Sequence, residues 1–365
     1  AAGGTSRRLG RHLGVDLEVA RGVAVGMVSG GQQTGAVASA LPARLRDATT
    51  RRSVTVPAVV TAAATLGSSV GVWAQIAAAL DLLDSPRRMP RLRLGSLAMG
   101  WSALESVGVA TSTALWVAGR SGDQEAHFRL QRWWADQLIT TLERTVGLRF
   151  EVDDPGQLAP GPVVIAAQHA SIADALVPVW LLGQVGMRPR YVMKDDLLLD
   201  PCLDIVGNRL PNHFVDRDPA DSAAELAQLE ALAAGADADT ACIIFPEGGV
   251  VTDASRERAK ARIEARDPER LARVGPLEML GPVRPGGTQA LLRGAPDADL
   301  VMVTHTGLEA VRQLANAPGQ VPLAEPVRIE LTRIARADIP DGNEFAPWLD
   351  ERWAERDRRL VESSS

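Results

Sequence analysis

Cysteine and lysine are scarce in this sequence, and positive charge is not in excess. Among its 365 residues are two cysteines, Cys202 and Cys242, without metal-ligand spacing, which suits a reducing compartment. Cys242 lies in an apolar strand-like run and reads as a small core residue. Only two lysines occur, Lys194 and Lys260, so nearly all positive charge is arginine. The net charge is −6 and no basic run carries interleaved aromatics, so nothing points to a nucleic-acid partner. There is no Walker-type phosphate loop and no dinucleotide fingerprint, which speaks against kinases and dehydrogenases. The N-terminal residues lack the pattern of a secretory signal, and no internal repeat or low-complexity tract is found.

Charge is also missing from two long stretches. Ser53 to Leu80 is 28 residues without a charge, and Leu94 to Gly119 is 26 residues with a single acid, Glu105. Either is long enough to cross a bilayer, although both are rich in Ala, Gly, Ser and Thr. Arginines flank them at Arg44, Arg46, Arg51 and Arg52, fill the connection at Arg87, Arg88, Arg91 and Arg93, and return at Arg120. A spanning hairpin would put the connection opposite both ends, and the arginine distribution then selects no orientation. A helical hairpin dipping into one leaflet satisfies all three arginine groups and is the favoured placement. An apolar helix pair packed on the following domain also fits, and Glu105 favours it. The sequence thus divides into a loosely ordered segment over 1–52, an apolar membrane-associated hairpin over 53–120, and a catalytic domain over 121–365.

Residues 124–147 carry Phe128, Trp133, Trp134, Leu138, Leu142 and Val146 among charges, an amphipathic helix for a membrane surface or for the domain. Beyond Arg149 the pattern alternates. Strand-like runs occupy 161–167, 190–194, 210–216, 241–246, 299–305 and 325–333. Helical patterns lie at 172–186, 220–235, 254–266 and 285–293, and a last helix at about 344–362. The fold class is therefore α/β, with a mixed, largely parallel sheet flanked by helices.

The stretch Val163 to Pro178, VVIAAQHASIADALVP, organises this domain. A buried strand ends at Gln168-His169 and a helix opens near Ser171. His169 and Asp174, five residues apart on one ideal helix, would diverge by about 140°. They meet only if His169 sits in the strand-to-helix turn, the edge where open α/β sheets carry their sites. One reading of His169 is a satisfied core histidine. The other is a base, with Asp174 fixing its tautomer and the second ring nitrogen left to take a proton from an alcohol. Two more strand ends present polar groups, at Asn212-His213-Phe214-Val215-Asp216-Arg217-Asp218 and at Phe245-Pro246-Glu247-Gly248-Gly249. Arg217 can hold a phosphate by paired donors, and the two glycines allow close backbone approach. Gly67-Ser68-Ser69-Val70-Gly71 has the letters of a hydrolase nucleophile elbow, but it sits inside an apolar run with no strand before it.

In this order and spacing, the residues resemble the PlsC-type glycerolipid acyltransferases. Gln168-His169-Ala170-Ser171-Ile172-Ala173-Asp174 resembles their N-H-x-x-x-x-D motif, Phe214-Val215-Asp216-Arg217 their F-x-D-R, and Phe245-Pro246-Glu247-Gly248 the start of F-P-E-G-T-R. Lys194 resembles a basic residue that precedes the second motif. Arg284-Pro285-Gly286-Gly287, Val301-Met302-Val303-Thr304 and the Trp348-Leu349, Trp353, Asp357 tail are similar to the lysocardiolipin acyltransferase branch. The resemblance covers about residues 125 to 360.

It implies acyl transfer from acyl-CoA or acyl carrier protein to a hydroxyl of a lysophospholipid such as 1-acylglycerol-3-phosphate. His169 is the implied base and Asp174 its orienter. Lys194, Phe214, Asp216, Arg217, Glu247, Gly248 and Gly249 are the implied substrate-binding residues. No bound cofactor or metal is implied. The partners are the lipid bilayer, the lipid acceptor and the acyl donor, and the setting is the cytoplasmic membrane with the catalytic domain on the cytoplasmic side. Three positions depart from the pattern. Gln168 stands for Asn, and Gly249 and Val250 stand for Thr and Arg, the Arg that helps grip the acceptor's phosphate. Arg217, helped by Arg256 or Arg258, is then the expected anion ligand. A non-phosphorylated lipid acceptor, or a catalytically reduced lipid-binding protein on the same fold, are the alternative readings.

Overall fold

The computed structural model describes residues 45–215, 222–308 and 320–364. Most of the 1–52 segment, together with Asp216, Arg217 and Asp218, lies outside the described residues.

The chain enters through α1 (Ala48–Ser68), α2 (Val70–Asp84), α3 (Pro90–Val117) and α4 (Gln124–Val146). The uncharged run from Ser53 to Leu80 is not one helix, as its composition led us to expect: α1 and α2 meet at 70°. The break falls on Gly67-Ser68-Ser69, in the stretch that carries the elbow letters, and Trp73 Nε1 caps the Leu66 carbonyl there at 2.8 Å. Among the described residues no single helix is long and apolar enough to cross a membrane; α1 and α2 together pass in length and composition, but only as a bent pair. Trp73 lies over Gly95, where any side chain would collide with its ring, so α2 folds back closely on α3.

The face of α3 with Ser102, Glu105, Gly108, Val109 and Ser112 is buried against α4 and the domain. Glu105 accepts from Trp134 Nε1 at 2.9 Å and from the Cys202 N–H at 3.1 Å. Burial, and then the neighbouring Asp200 carboxylate, push its carboxyl upward, so this acid is a packed polar link between hairpin and domain. Arg51 and Arg52 both fork onto the fully buried Asp204, at 2.8 and 3.0 Å. Helix α4 is likewise a domain helix: Trp134, Leu138, Leu142 and Val146 are in the core, while Trp133 stays exposed.

Seven strands follow: β1 (Phe150–Asp153), β2 (Val163–Ala167), β3 (Arg188–Lys194), β4 (His213–Val215), β5 (Thr240–Ile244), β6 (Asp299–Thr306) and β7 (Val327–Ile334). Their order is β1-β7-β6-β2-β5-β3-β4, and every neighbouring pair is parallel except β6 with β7. Central β2 and β5 are buried along their whole length, which is why they read as unbroken apolar runs. Alternation divides their side chains between two cores. Val163, Ile165 and Ile243 face α4 and α5 (Leu176–Gln184). Val164, Cys242 and Ile244 face α7 (Ser222–Ala233), α10 (Pro285–Gly294) and α11 (Phe345–Ser364), numbered after α6 (Pro201–Gly207), α8 (Asp253–Arg266) and α9 (Pro268–Val274). The C-terminal ends of β2, β3, β4, β5 and β6 therefore lie along one edge of the sheet.

Candidate active site

The strand β2 stops at Ala167, and the turn that follows is set by a reciprocal cap. Ser171 Oγ accepts from the Ala173 N–H, and Asp174 accepts from the Ser171 N–H at 2.7 Å. Asp174 thus lies in a single 3-10 turn, Ile172–Ala175, ahead of α5, where the periodicity had placed it on the α-helix itself. The tighter turn brings Asp174 Oδ2 to 3.4 Å from His169 Nδ1. His169 retains 14% side-chain exposure and Asp174 only 1%, so the acid is sealed behind the imidazole. Among the described residues His169 Nε2 has no hydrogen-bond partner, so it is the nitrogen presented outward. The Phe245 ring packs on the imidazole, with centroids 4.7 Å apart.

The loop after β5 holds the backbone of His169 on both sides. Glu247 Oε2 accepts from the His169 N–H at 2.6 Å, and the Val251 N–H donates to His169 O at 2.7 Å. Glu247 Oε1 accepts from the Gly281 N–H at 2.7 Å, so both carboxylate oxygens of this expected substrate ligand are used within the protein. Burial pushes the Glu247 carboxyl up to about 8, against the opposing pull of the Gly281 and His169 N–H donors. From an ordinary value of 4.5 to that raised value, the folded state binds more protons than the unfolded chain. Stability contributed by this group is therefore full below the ordinary value and is lost as pH rises towards 8. Glu247→Gln is expected to flatten the fall in unfolding free energy across that window, measured by urea unfolding at a series of pH values.

Gly248 adopts φ +74° and Arg284's guanidinium lies directly over it, while the Lys194 ammonium lies against Gly249. A side chain at Gly249 would stand 2.7 Å from Lys194 Nζ, so the glycine is what admits the lysine. Most amides of these two loops are committed: His169 N–H to Glu247, Ser171 N–H to Asp174, Gly248 N–H to Phe245 O. Gly249 N–H donates to no described residue. Phe214 is a packing residue at the core edge, its ring against Gly207 and Met193. Arg256, a suggested anion ligand, is spent on the Leu280 carbonyl at 3.0 Å and on Asp253.

Three participants escaped the sequence reading. Ser171 was legible as the first residue of a Ser-x-x-Asp cap. Arg284 had been noted only as part of a branch signature. His305, buried on β6, has no local signal; only the β2–β6 register brings it to Asp174, its Nε2 lying 3.5 Å from Oδ1.

Residues 149–279 match the Acyltransferase family model, a stretch holding His169, Asp174, Lys194 and Glu247 and ending before Arg284 and His305. No curated protein gives a significant match. Among solved structures the chain is similar to the crystal structure of the 1-acyl-sn-glycerophosphate (LPA) acyltransferase PlsC from Thermotoga maritima, with TM-score 0.37 and 12% identity over 71% of this chain and 95% of that one.

Proposed function

We propose that this protein transfers a fatty acyl group from a thioester donor, acyl-CoA or acyl carrier protein, to the hydroxyl of a lysophospholipid. The carrying observation is the His169–Asp174 pair at the sheet edge, its backbone locked by Glu247, within the stretch that matches the family. His169 Nε2 takes the proton of the acceptor hydroxyl as its oxygen bonds to the thioester carbonyl carbon. Gly249 N–H is the amide best placed to meet the carbonyl oxygen as it gains charge. The tetrahedral centre collapses, the C–S bond breaks, and the proton on His169 goes to the departing sulfur.

Lys194 and Arg284 replace the arginine missing at Val250, gathering two cations on the Gly248-Gly249 loop where an acceptor phosphate would lie. Purified protein given labelled acyl-CoA is therefore expected to use lysophosphatidate at least about 10-fold better in kcat/KM than the matching monoacylglycerol, the size of one charge-assisted contact. Equal use of both would favour the non-phosphorylated acceptor; neither product nor thioester cleavage would favour a lipid-binding protein.

For the hairpin, the half-inserted placement on the cytoplasmic face is the one proposed. Helix α2 exposes Val72 at 64%, Ile76 at 56%, Leu82 at 61% and Leu83 at 84%, and α3 ends in exposed Trp116 and Val117. Arg91, in the first turn of α3, is balanced by Asp81 and Asp84 at the end of α2, leaving the apolar side chains to enter the leaflet. The double variant Val72→Asp and Leu83→Asp is expected to lose about 10-fold or more in binding to phospholipid vesicles by flotation, with the fold intact.

A further inference from the structure

Asp174 is approached by imidazole from two sides. His169 Nδ1 lies 3.4 Å from Oδ2, and His305 Nε2 lies 3.5 Å from Oδ1. The histidines differ in access: the outer one keeps 14% exposure, the inner one 2%. His305 is fixed from its backbone. Its N–H donates to Gln168 Oε1 at 2.9 Å, while the Gln168 N–H donates to Val303 O at 2.9 Å. The β2–β6 ladder pairs Ala167 with Val303, and Gln168 extends it one step further with its side chain. The longer amide at this position therefore ties both histidines together, His169 as its chain neighbour and His305 across the strands.

The remaining contacts of Asp174 are the Ser171 N–H at 2.7 Å and Ser171 Oγ at 2.8 Å. Titratable groups facing this cluster are His169 from the β2 turn, His305 from β6 and Glu247 from the loop after β5. Burial alone would raise the Asp174 carboxyl; the neighbouring imidazoles, His305 first and then His169, hold it instead well below the usual carboxylate range. A bare buried carboxylate beside His169 would draw that ring towards the imidazolium, which takes no proton from an alcohol.

We propose that His305 is a positioning residue: its Nε2, 3.5 Å from Asp174 Oδ1, offsets part of the carboxylate's charge and so limits how strongly Asp174 draws a proton onto His169. This rests on the acyl-transfer reading above, but its first test needs no activity. The His169 ring is titrated by NMR in wild type, His305→Leu and His305→Gln, with the resonance assigned from the spectrum of His169→Ala. In H305L the His169 titration is expected to move up by about 0.5–1 pH unit. H305Q keeps a weaker neutral donor and is expected to move it in the same direction by less. The acidic limb of kcat/KM should shift by the same amounts. Activity near pH 7 then falls about three- to tenfold in H305L and recovers at higher pH, with the acceptor KM unchanged.

Loss of mere packing would lower activity at every pH without moving the limb. A His169 titration unchanged from wild type in whichever of the two variants remains folded, judged by cooperative thermal unfolding, overturns the proposal. Wild-type protein without acyl transfer, but with the titration shifted in H305L, would defeat the acyl-transfer reading and leave the Asp174–His305 coupling standing.

Discussion

His169→Ala is expected to reduce acyl transfer by about 10³-fold or more while leaving the protein folded. The imidazole packs on Phe245 and bonds to Asp174, but its backbone anchors, Glu247 Oε2 and the Val251 N–H, do not involve the ring. An alanine keeps those anchors, so the loop after β5 should stay closed. The acceptor hydroxyl then has no base, and what rate remains comes from orientation and from the cations at Lys194 and Arg284. The measurement is steady-state transfer from labelled acyl-CoA, with circular dichroism on the same preparation. A folded alanine variant with more than a few per cent of wild-type transfer would remove His169 from the chemistry.

Asp174→Ala is expected to be nearly as damaging and to cost stability as well. Its carboxylate receives Ser171 N–H, Ser171 Oγ and His169 Nδ1, with His305 Nε2 3.5 Å away, in a site that is 1% exposed. Alanine leaves the Ser171 N–H unpaired in the interior, at a cost of about 1–3 kcal/mol, and frees the 3-10 turn that aims His169. Transfer should fall by about 10²–10⁴-fold. Asp174→Asn keeps the shape, so it should recover stability well before activity; thermal unfolding and transfer rates measured together separate the two. Recovery of both in the asparagine variant would mean that the charge of Asp174 is irrelevant.

The strands that carry the site were legible because they are central. β2 and β5 are buried on both faces and therefore wholly apolar, and their ends show as the first polar residues, Gln168-His169 and Glu247. β1 was not legible: at the edge of the sheet, Phe150-Glu151-Val152-Asp153 is four residues long and half polar. Helices α6 and α9 are seven residues each and too short for periodicity, although Asp200-Pro201 and Asp267-Pro268 are an N-cap followed by a first-turn proline in both. The break at Ser69 hid inside an uncharged run because Gly and Ser carry no hydropathy contrast there.

In the site, local chemistry was visible and cross-strand chemistry was not. The His169–Asp174 spacing foretold a turn, and the structure supplies one, as a 3-10 turn capped by Ser171. His305 and Arg284 stand 131 and 110 residues beyond Asp174 in the chain, and only the strand register and the glycine loop bring them in. Glu247 was expected among the substrate-binding residues; its two oxygens reach the His169 and Gly281 amides, so its position is that of a clamp on the loop.

The proposed reaction is direct transfer from a thioester to a lipid hydroxyl with His169 as base. The most direct measurement follows free thiol and lipid product together, by absorbance and mass spectrometry, in vesicles containing lysophosphatidate and acyl-CoA. One newly esterified phospholipid is expected for each thiol released in wild type, and neither in His169→Ala. Thiol release without an acylated lipid, or equal product from the alanine variant, would contradict it.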